Sequence, residues 1–241
     1  MAKAPRSPSA PANHLLARLP PAAYDRLLPH LRPVPLKQDA VLHKARSPIE
    51  HVYFPTRGVT SFLTVLDGGA AIEVGTVGNE GLVGSTAFLG AASSPHKVIV
   101  QIAGDGLRME AATLAAEARA DGPLRDLLLR YQTCFMFQVS QSVACNGLHS
   151  VHQRCCPWLL MTHDRVGADT FHLTHEYLGF MLGVRRASVS LVLQPLQDRG
   201  LVQYRRGKIT VRDRKGLEVA ACECYRLVRD EFARLLGDGR V

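Results

Sequence analysis

The sequence predicts an α+β protein: a β-rich N-terminal domain, a long central helix and a C-terminal winged helix-turn-helix. Between residues 34 and 109, short apolar runs alternate with a period of two and are separated by Gly- and Pro-containing turns. Many short strands at this spacing indicate a closed or double-sheet β structure. The pattern then turns helical to about residue 150, and a helical pair with a basic hairpin follows after residue 172.

Composition indicates a globular protein with an anionic partner. The formal net charge is +8 and the sequence pI is about 9.4, which favours nucleic acid or an anionic surface. Residues 1–13 are rich in Pro, Ala and Ser without an apolar core, so we expect a disordered tail rather than a secretory signal. The six cysteines all follow residue 133 and do not predict a disulfide framework. We expect a cytoplasmic protein with no membrane partner.

The β-rich domain is predicted to cover residues 14–120. Its turns include 55–58, 67–69, 78–81 and 104–106, each with at least one glycine. The strands predicted between the turns cover residues 34–37, 49–54, 59–66, 71–77, 98–102 and 107–109.

The central helix is predicted over residues 121–150, opening at Gly122-Pro123. Apolar and small side chains recur there at spacings of four and three, as in a coiled-coil seam. We therefore expect a homodimer, and an internal core helix is the alternative. The predicted dimer residues are Leu124, Leu128, Tyr131, Phe135 and Ser142.

The segment 151–241 contains a helix-turn-helix pattern. Thr174 is suited to cap a first helix, and Gly183 follows its apolar stripe, where a left-handed residue ends a helix. A second helix begins near Arg185 and is expected to continue past Pro195 with a kink. Two short helices joined by a Gly-containing turn are typical of this motif.

The second helix carries side chains that suit DNA. Arginine donates a bidentate pair to guanine in the major groove, and serine hydroxyls and helix N-termini suit phosphate oxygens. Two alternating runs flanking Arg206-Gly207 predict a basic hairpin. Residues 174–215 hold nine Lys and Arg against three Asp and Glu. The predicted DNA-contact residues are Thr174, Arg185, Arg186, Ser188, Ser190, Arg205, Arg206 and Lys208.

This order of elements resembles the Crp/Fnr family of bacterial transcription regulators. The matching stretches are residues 51–55, 73–81 and 173–224. The resemblance implies a cyclic-nucleotide-binding-like jelly roll, a dimerising central helix and a C-terminal winged helix. It also implies double-stranded DNA with a palindromic site and a second copy of the chain as partners, with RNA polymerase as a further candidate.

Departures from the family pattern concern the signal. Members that bind cyclic AMP hold its phosphate with an Arg-Ser pair, where this chain has His96-Lys97. Lysine lacks the bidentate geometry of arginine, so cyclic AMP is not the expected effector. Oxygen-sensing members carry N-terminal cysteines, so an iron–sulfur cluster is not expected and no cofactor is assigned. Glu73, Glu80, His96 and Lys97 are the candidate effector-pocket residues.

The remaining polar clusters predict neither a metal site nor catalysis. His149, His152, Cys155, Cys156 and His163 crowd one segment, yet one straight helix cannot wrap distant ligands around an ion, so packing is preferred. Cys222 and Cys224 are interpreted as small apolar packing. Nucleotide-binding and nucleophile-elbow motifs are absent from the sequence. The alternatives are a metal- or ligand-binding enzyme with a basic C-terminal domain and a non-specific DNA binder.

Overall fold

The computed structural model describes residues 11–119 and 121–237. Residues 1–10 of the predicted tail lie outside this range. Asn13, near the end of that tail, is buried, and its Nδ2 donates to the carbonyls of Pro55 (2.8 Å) and Gly81 (2.9 Å). Helix α1 (Pro21–Leu27) follows, with Pro at its first position, where a missing N–H costs nothing.

The N-terminal strands form a largely antiparallel sheet in the order β1-β5-β3-β4, with β2 paired to β5. The expected combination of β domain, long helix and helix-turn-helix is confirmed. The strands are β1 (Arg32–Leu36), β2 (Val41–His43), β3 (His51–Val65), β4 (Ala71–Val77) and β5 (Lys97–Glu110).

Two predicted turns are bends inside continuous strands. The sequence predicted breaks at 55–58 and 104–106, but β3 and β5 run through them, with Pro55 paired to Gly106 and Arg57 to Asp105. Register shifts between Pro55 and Val59 mark bulges, which bend a strand without ending its ladder. A Cβ on Gly58 would lie 2.6 Å from the Ile102 carbonyl, and one on Gly104 would overlap that of Arg57. The glycines at these positions thus allow the backbones of β3 and β5 to approach closely. The prediction of separate strands was wrong.

Helix α2 (Ala111–Glu117) leads to the central helix α3 (Pro123–Leu148), which is followed by α4 (Val151–Val166). Ser150 caps α4: its Oγ accepts from the Gln153 N–H, and the Gln153 side chain accepts from the Ser150 N–H (2.9 Å). This capping box separates α3 from α4. No helix among the described residues is long and apolar enough to cross a membrane.

The predicted dimer seam of α3 faces the chain's own β domain. The Tyr131 hydroxyl donates to the Leu82 carbonyl (3.1 Å), and the Phe135 ring lies 4.9 Å from that of Phe62. We therefore revise the seam, because side chains already buried within one chain are not available to a second. Leu124, Leu128, Tyr131 and Phe135 are buried, and Ser142, half-buried, donates to the Gln138 carbonyl (2.9 Å).

The C-terminal part is a small helical domain with a three-stranded sheet in the order β6-β8-β7. The second helix of the motif continues through Pro195 to Asp198, which confirms the predicted continuation, while the kink stays a prediction. Its elements are β6 (Thr170–His172), α5 (His175–Leu182), α6 (Arg186–Asp198), β7 (Val202–Arg205), β8 (Lys208–Val211), α7 (Arg214–Ala220) and α8 (Cys224–Leu236).

Apolar side chains of the described residues pack mainly into two cores that meet at α3 and α4. The first core joins the β domain to α3 and includes Val228, Phe232 and Leu236 of α8. The second core is that of the C-terminal domain, and it includes Val59 and Ile102 of the β domain. The two domains are therefore packed against each other through apolar side chains and are not joined by a linker alone.

Candidate nucleic-acid interface

The α5–α6 pair has the local geometry that its sequence predicts. Thr174 caps α5, its Oγ1 accepting from the Tyr177 N–H (3.1 Å), and Gly183 ends the helix with a φ of 64°. A Cβ on the buried Gly179 would lie 2.9 Å from the Val184 carbonyl and 3.3 Å from a Val189 methyl. Glycine at this position lets the two helices cross closely.

The first turns of α6 present basic side chains to solvent. Arg185 is the N-cap residue and Arg186 the first helical residue, and both are exposed. Ser188 is half-buried, whereas Ser190 is exposed with its Oγ 3.3 Å from His175 Nδ1. The opposite face buries Val189, Val192, Leu193 and Leu196. The arginines lie away from this buried face, as predicted.

The basic hairpin β7–β8 is formed by a tight turn. Arg205 pairs with Lys208, and the residues between them have positive φ, 49° for Arg206 and 74° for Gly207. Positive φ at both central positions matches the twist of a two-residue hairpin. Arg205, Arg206 and Lys208 are all exposed.

A brace between helix and hairpin was missed by the sequence reasoning. The His175 ring lies 4.0 Å from that of Tyr204 on β7, centroid to centroid. Burial, followed by the charge of Arg186, lowers the pKa of His175, which favours the neutral ring. The two residues lie in separate elements and no sequence spacing relates them, so a sequence signal was lacking. The ring contact thus joins α5 to the hairpin, and Ser190 of α6 lies beside the same His175 ring.

Residues 153–220 match the family model of the Crp-like helix-turn-helix domain. Residues 153–220 are thus a Crp-like helix-turn-helix domain. No curated protein matches the chain in sequence.

Solved structures extend the likeness to the whole fold. FixK2 from Bradyrhizobium japonicum is 17% identical with a TM-score of 0.68, covering 80% of this chain and 98% of its own. A Crp/Fnr-family transcriptional regulator from Eubacterium rectale is 19% identical, with a TM-score of 0.65 and coverages of 86% and 96%. The c-di-GMP responsive regulator CLP of Xanthomonas campestris is 14% identical, with a TM-score of 0.62 and coverages of 79% and 98%. The resemblance to Crp/Fnr regulators is thus confirmed, for the C-terminal domain by its family model and for the rest by fold.

The Crp-like domain contacts the β domain through a buried carboxyl group. Glu73 accepts from Trp158 Nε1 of α4 (2.9 Å) and from the Ser61 hydroxyl. Burial raises the pKa of Glu73 to about 7. On the surface beside it, the Tyr177 hydroxyl donates to the Asp39 carboxylate. The carboxyl group of Glu73 therefore joins the β domain and the Crp-like domain directly.

A buried ion pair lies in the same interface. Arg165 of α4 donates from Nε to Glu80 (2.9 Å), from Nη2 to Gln138 of α3 (3.0 Å), and from Nη1 to Thr76. The Glu80 carboxylate also accepts the Gly78 N–H (3.0 and 3.1 Å). A buried ion pair is costly unless its remaining donors and acceptors are satisfied, and here several are. Sequence reasoning found Glu80 but missed Arg165, because a lone arginine on a helix is usually solvated.

The four predicted effector-pocket residues have different partners. Glu73 and Glu80 bond to side chains of α4, as described above. His96 instead packs edge-on against Phe62 (6.2 Å) and lies 3.3 Å from Thr64 Oγ1, and burial lowers its pKa. Lys97 is half-buried at the start of β5. The structure does not bring the four to one ligand site among the described residues.

The predicted His and Cys crowd is also divided. His163 lies 2.8 Å from Asp169 and 2.7 Å from Arg214, at the surface of the Crp-like domain, while Cys155 and Cys156 are buried in its core. His149 has a different environment, beside Cys145, Cys222 and Cys224. The sequence did not connect Cys145 and His149 with Cys222 and Cys224, because the two pairs come from distant parts of the chain.

Proposed function

We propose that the protein is a homodimeric transcription regulator that reads a palindromic DNA site with α6. The observation that carries this proposal is the exposed basic start of α6 beside an exposed basic hairpin. A major groove admits one helix, and the phosphate backbone flanks it on both sides. The Crp-like domain match over residues 153–220 supports the same function.

The roles divide between helix and hairpin. Arg186, in the first turn of α6, is placed to donate to a guanine edge, as arginine commonly does. Arg206 and Lys208 lie at the hairpin tip, where they suit phosphates and carry no sequence information. The backbone N–H groups at the N-terminal end of α6 and the hydroxyl of Ser190 add donors for the phosphates of the DNA.

The dimer forms along the face of α3 that the chain itself leaves uncovered. This outer seam consists of Leu129, Thr133, Met136, Ser140 and Val143, with spacings of four and three. All are exposed, and Met136 and Val143 retain 59% and 65% of their accessible surface. Such spacing places all five on one stripe, as in a coiled coil. Exposed large apolar residues in a row mark an interaction surface.

The signal received by the β domain is not cyclic AMP. Family members that bind cyclic AMP hold the cyclic phosphate with an Arg-Ser pair, whereas Lys97 at this place is a point charge without the bidentate geometry of arginine. Burial lowers the pKa of His96, so its ring is neutral at physiological pH. We expect calorimetry to detect no cyclic AMP binding at micromolar concentrations. A saturating isotherm with one site per chain would contradict this part of the proposal.

The experiment that tests DNA reading begins with selection of binding sites from random double-stranded DNA. Arg186→Ala is expected to lose about 1–3 kcal/mol on the selected site and to relax one base position. Arg206→Ala should weaken selected and random DNA alike and reduce the salt slope by about one. Arg226→Ala, an exposed arginine of α8 paired with Asp230, is the control and should change neither.

Two results would overturn the proposal. Selection that enriches no sequence would indicate a non-specific binder, since specific sites usually exceed random DNA by about a thousandfold or more. Equal losses for Arg186→Ala and Arg206→Ala on every DNA would remove α6 from base reading.

A further inference from the structure

Four metal-ligating side chains meet where the central helix joins the Crp-like domain. Cys145 is in the last turn of α3, and His149 is the residue that follows this helix in an extended conformation. Cys222 lies between α7 and α8, and Cys224 is the first residue of α8. Their sulfur atoms and an imidazole nitrogen all lie within 4.8 Å of one another.

The separations match the edges of a tetrahedral site. Zn–S bonds of about 2.3 Å and Zn–N bonds of about 2.05 Å imply S···S edges of about 3.8 Å and S···N edges of about 3.6 Å. The Cys145 and Cys222 sulfurs are 3.7 Å apart, and the Cys224 sulfur is 3.4 Å from His149 Nδ1. An ion would therefore require shifts of only a few tenths of an ångström in these two pairs.

Neighbouring polar side chains contact the four candidate ligands in the way that is usual around bound metal ions. His149 Nε2 lies 3.5 Å from the Glu223 carboxylate, which leaves Nδ1 directed at the sulfurs. A metal-bound histidine commonly donates its other ring N–H to a carboxylate. Gln141 Nε2 donates to the Cys224 sulfur (3.2 Å), which stabilises a thiolate.

Apolar packing does not account for the cluster. The three cysteines contact one another apart from both apolar cores. All three are buried, and His149 retains 17% of its side-chain surface. A cysteine that acts as a small apolar residue packs among apolar side chains, as Cys155 does in the core of the Crp-like domain. Here thiols contact thiols and an imidazole, which is the environment of ligands.

We infer that Cys145, His149, Cys222 and Cys224 form a Cys3His site for a zinc ion. Three thiolates and one imidazole in a tetrahedron are a zinc ligand set, and four protein ligands close the site without an open position for substrate. The ion displaces three thiol protons to solvent, because thiolates are the ligands. The site is therefore structural.

Its position indicates what the ion holds together. Cys145 and His149 belong to the end of the central helix, whereas Cys222 and Cys224 begin α8 of the C-terminal domain. Further along, α8 packs on α3, with Cys134 near the Glu231 carbonyl (4.0 Å). Bound zinc fastens the C-terminal domain to the central helix at the α3–α4 junction.

The test uses the full chain, purified with a non-chelating reductant. We expect about one zinc per chain by elemental analysis, and a lower midpoint of thermal unfolding after chelation, since an ion that binds the folded state stabilises it. Titration of the apo-protein with Co2+ should give the intense visible bands of tetrahedral cobalt and a sulfur-to-cobalt charge-transfer band. Zn2+ should abolish both.

Matched variants locate the site. Cys222→Ser should lose Co2+ affinity by at least about a hundredfold, because even changes to residues behind the ligands cost about 10–100-fold. Glu223→Gln retains all four ligands, so it should fold normally and weaken binding within that smaller range. Cys134→Ser, a buried cysteine of α3 outside the cluster, should bind like the original protein.

Three outcomes would overturn the inference. In the first, Cys222→Ser and Glu223→Gln bind Co2+ with unchanged affinity. In the second, fully reduced protein, with all six thiols titratable, binds no Co2+. In the third, the protein carries iron and sulfide instead of zinc.

Discussion

The carboxyl group of Glu73 lies between two domains, and its protonation links their packing to pH. Its pKa in the folded protein is about 7, against an ordinary value of 4.5, because burial disfavours the charge. Below pH 4.5 both folded and unfolded chains hold the proton. As pH rises to about 7 the unfolded chain releases it first, so the free energy of unfolding decreases, and above about 7 the loss is complete.

Glu73→Gln tests this coupling. Glutamine keeps an acceptor for Trp158 but does not titrate, so the decrease in stability between pH 5 and 8 should become smaller by up to about 3 kcal/mol. Denaturant unfolding at several pH values measures the difference. Glu50→Gln, which changes an exposed carboxylate, is the control and should retain the original pH dependence. Parallel curves for all three proteins would contradict a proton held by Glu73.

The exposure of side chains was predictable where the local pattern determines it. Arg185 and Arg186 follow a helix-ending glycine and precede an apolar stripe, which places them outward on α6. Glu73 shows the opposite case, because its partner Trp158 is 85 residues away and no spacing relates them. Arg165 was missed for the same reason. Long-range polar pairs need the fold before they can be recognised.

At the level of elements, the paired bends of β3 and β5 offer a direct test of steric control. A Cβ on Gly104 would overlap the Arg57 carbonyl, whereas one on Gly68 meets nothing within 4 Å, and neither glycine has positive φ. Gly104→Ala should therefore destabilise the protein by about 1–3 kcal/mol or more through overpacking. Gly68→Ala, the matched control, should be close to neutral. Equal unfolding midpoints for the two variants would show that the bend tolerates a side chain.

The bounds of helices and strands were predicted well where a single sequence signal determined them. The strand at residues 71–77 was predicted with its observed bounds, and α5 begins after Thr174 and ends before Gly183. Errors arose where β3 and β5 bend side by side. The glycine and proline residues in each strand were interpreted there as the end of the strand. The four proposed zinc ligands were missed because Cys145 and His149 lie far from Cys222 and Cys224 in sequence. Only the packing of α8 against α3 brings these pairs together.

At the scale of the whole molecule, α3 has three faces with different surroundings. One face is buried against the β domain, a second is packed by α8 through residues such as Cys134, and the third, the outer seam, is exposed. The sequence pattern of α3 carries the inner and outer stripes at the same four-and-three spacing. Periodicity alone therefore could not tell which stripe faces the chain itself, and a dimer along the outer stripe stays a prediction.

Substitutions at two adjacent residues of α3, Phe135 and Met136, distinguish effects on folding from effects on dimerisation. Phe135→Glu places a charge beside Phe62 inside one chain, so we expect a loss of several kcal/mol in stability, in the range of about 3–5 kcal/mol for disrupted aromatic packing. Met136→Glu places the charge on the outer seam instead. It should leave the thermal midpoint of the isolated chain nearly unchanged yet yield a monomer by light scattering, because two like charges would face each other across the dimer.

The Met136→Glu monomer should also lose affinity for a palindromic site while each half-site is still bound weakly, since the proposed dimer joins two copies of α6. Val219→Glu alters a residue of α7 that retains 84% of its surface and lies off the seam, so it should stay dimeric. If Met136→Glu remained a dimer at micromolar concentration, the outer seam would not be the interface. If Phe135→Glu instead gave a stable, folded monomer, the inner stripe would return as the contact between chains, and the packing of α3 on its own β domain would need revision.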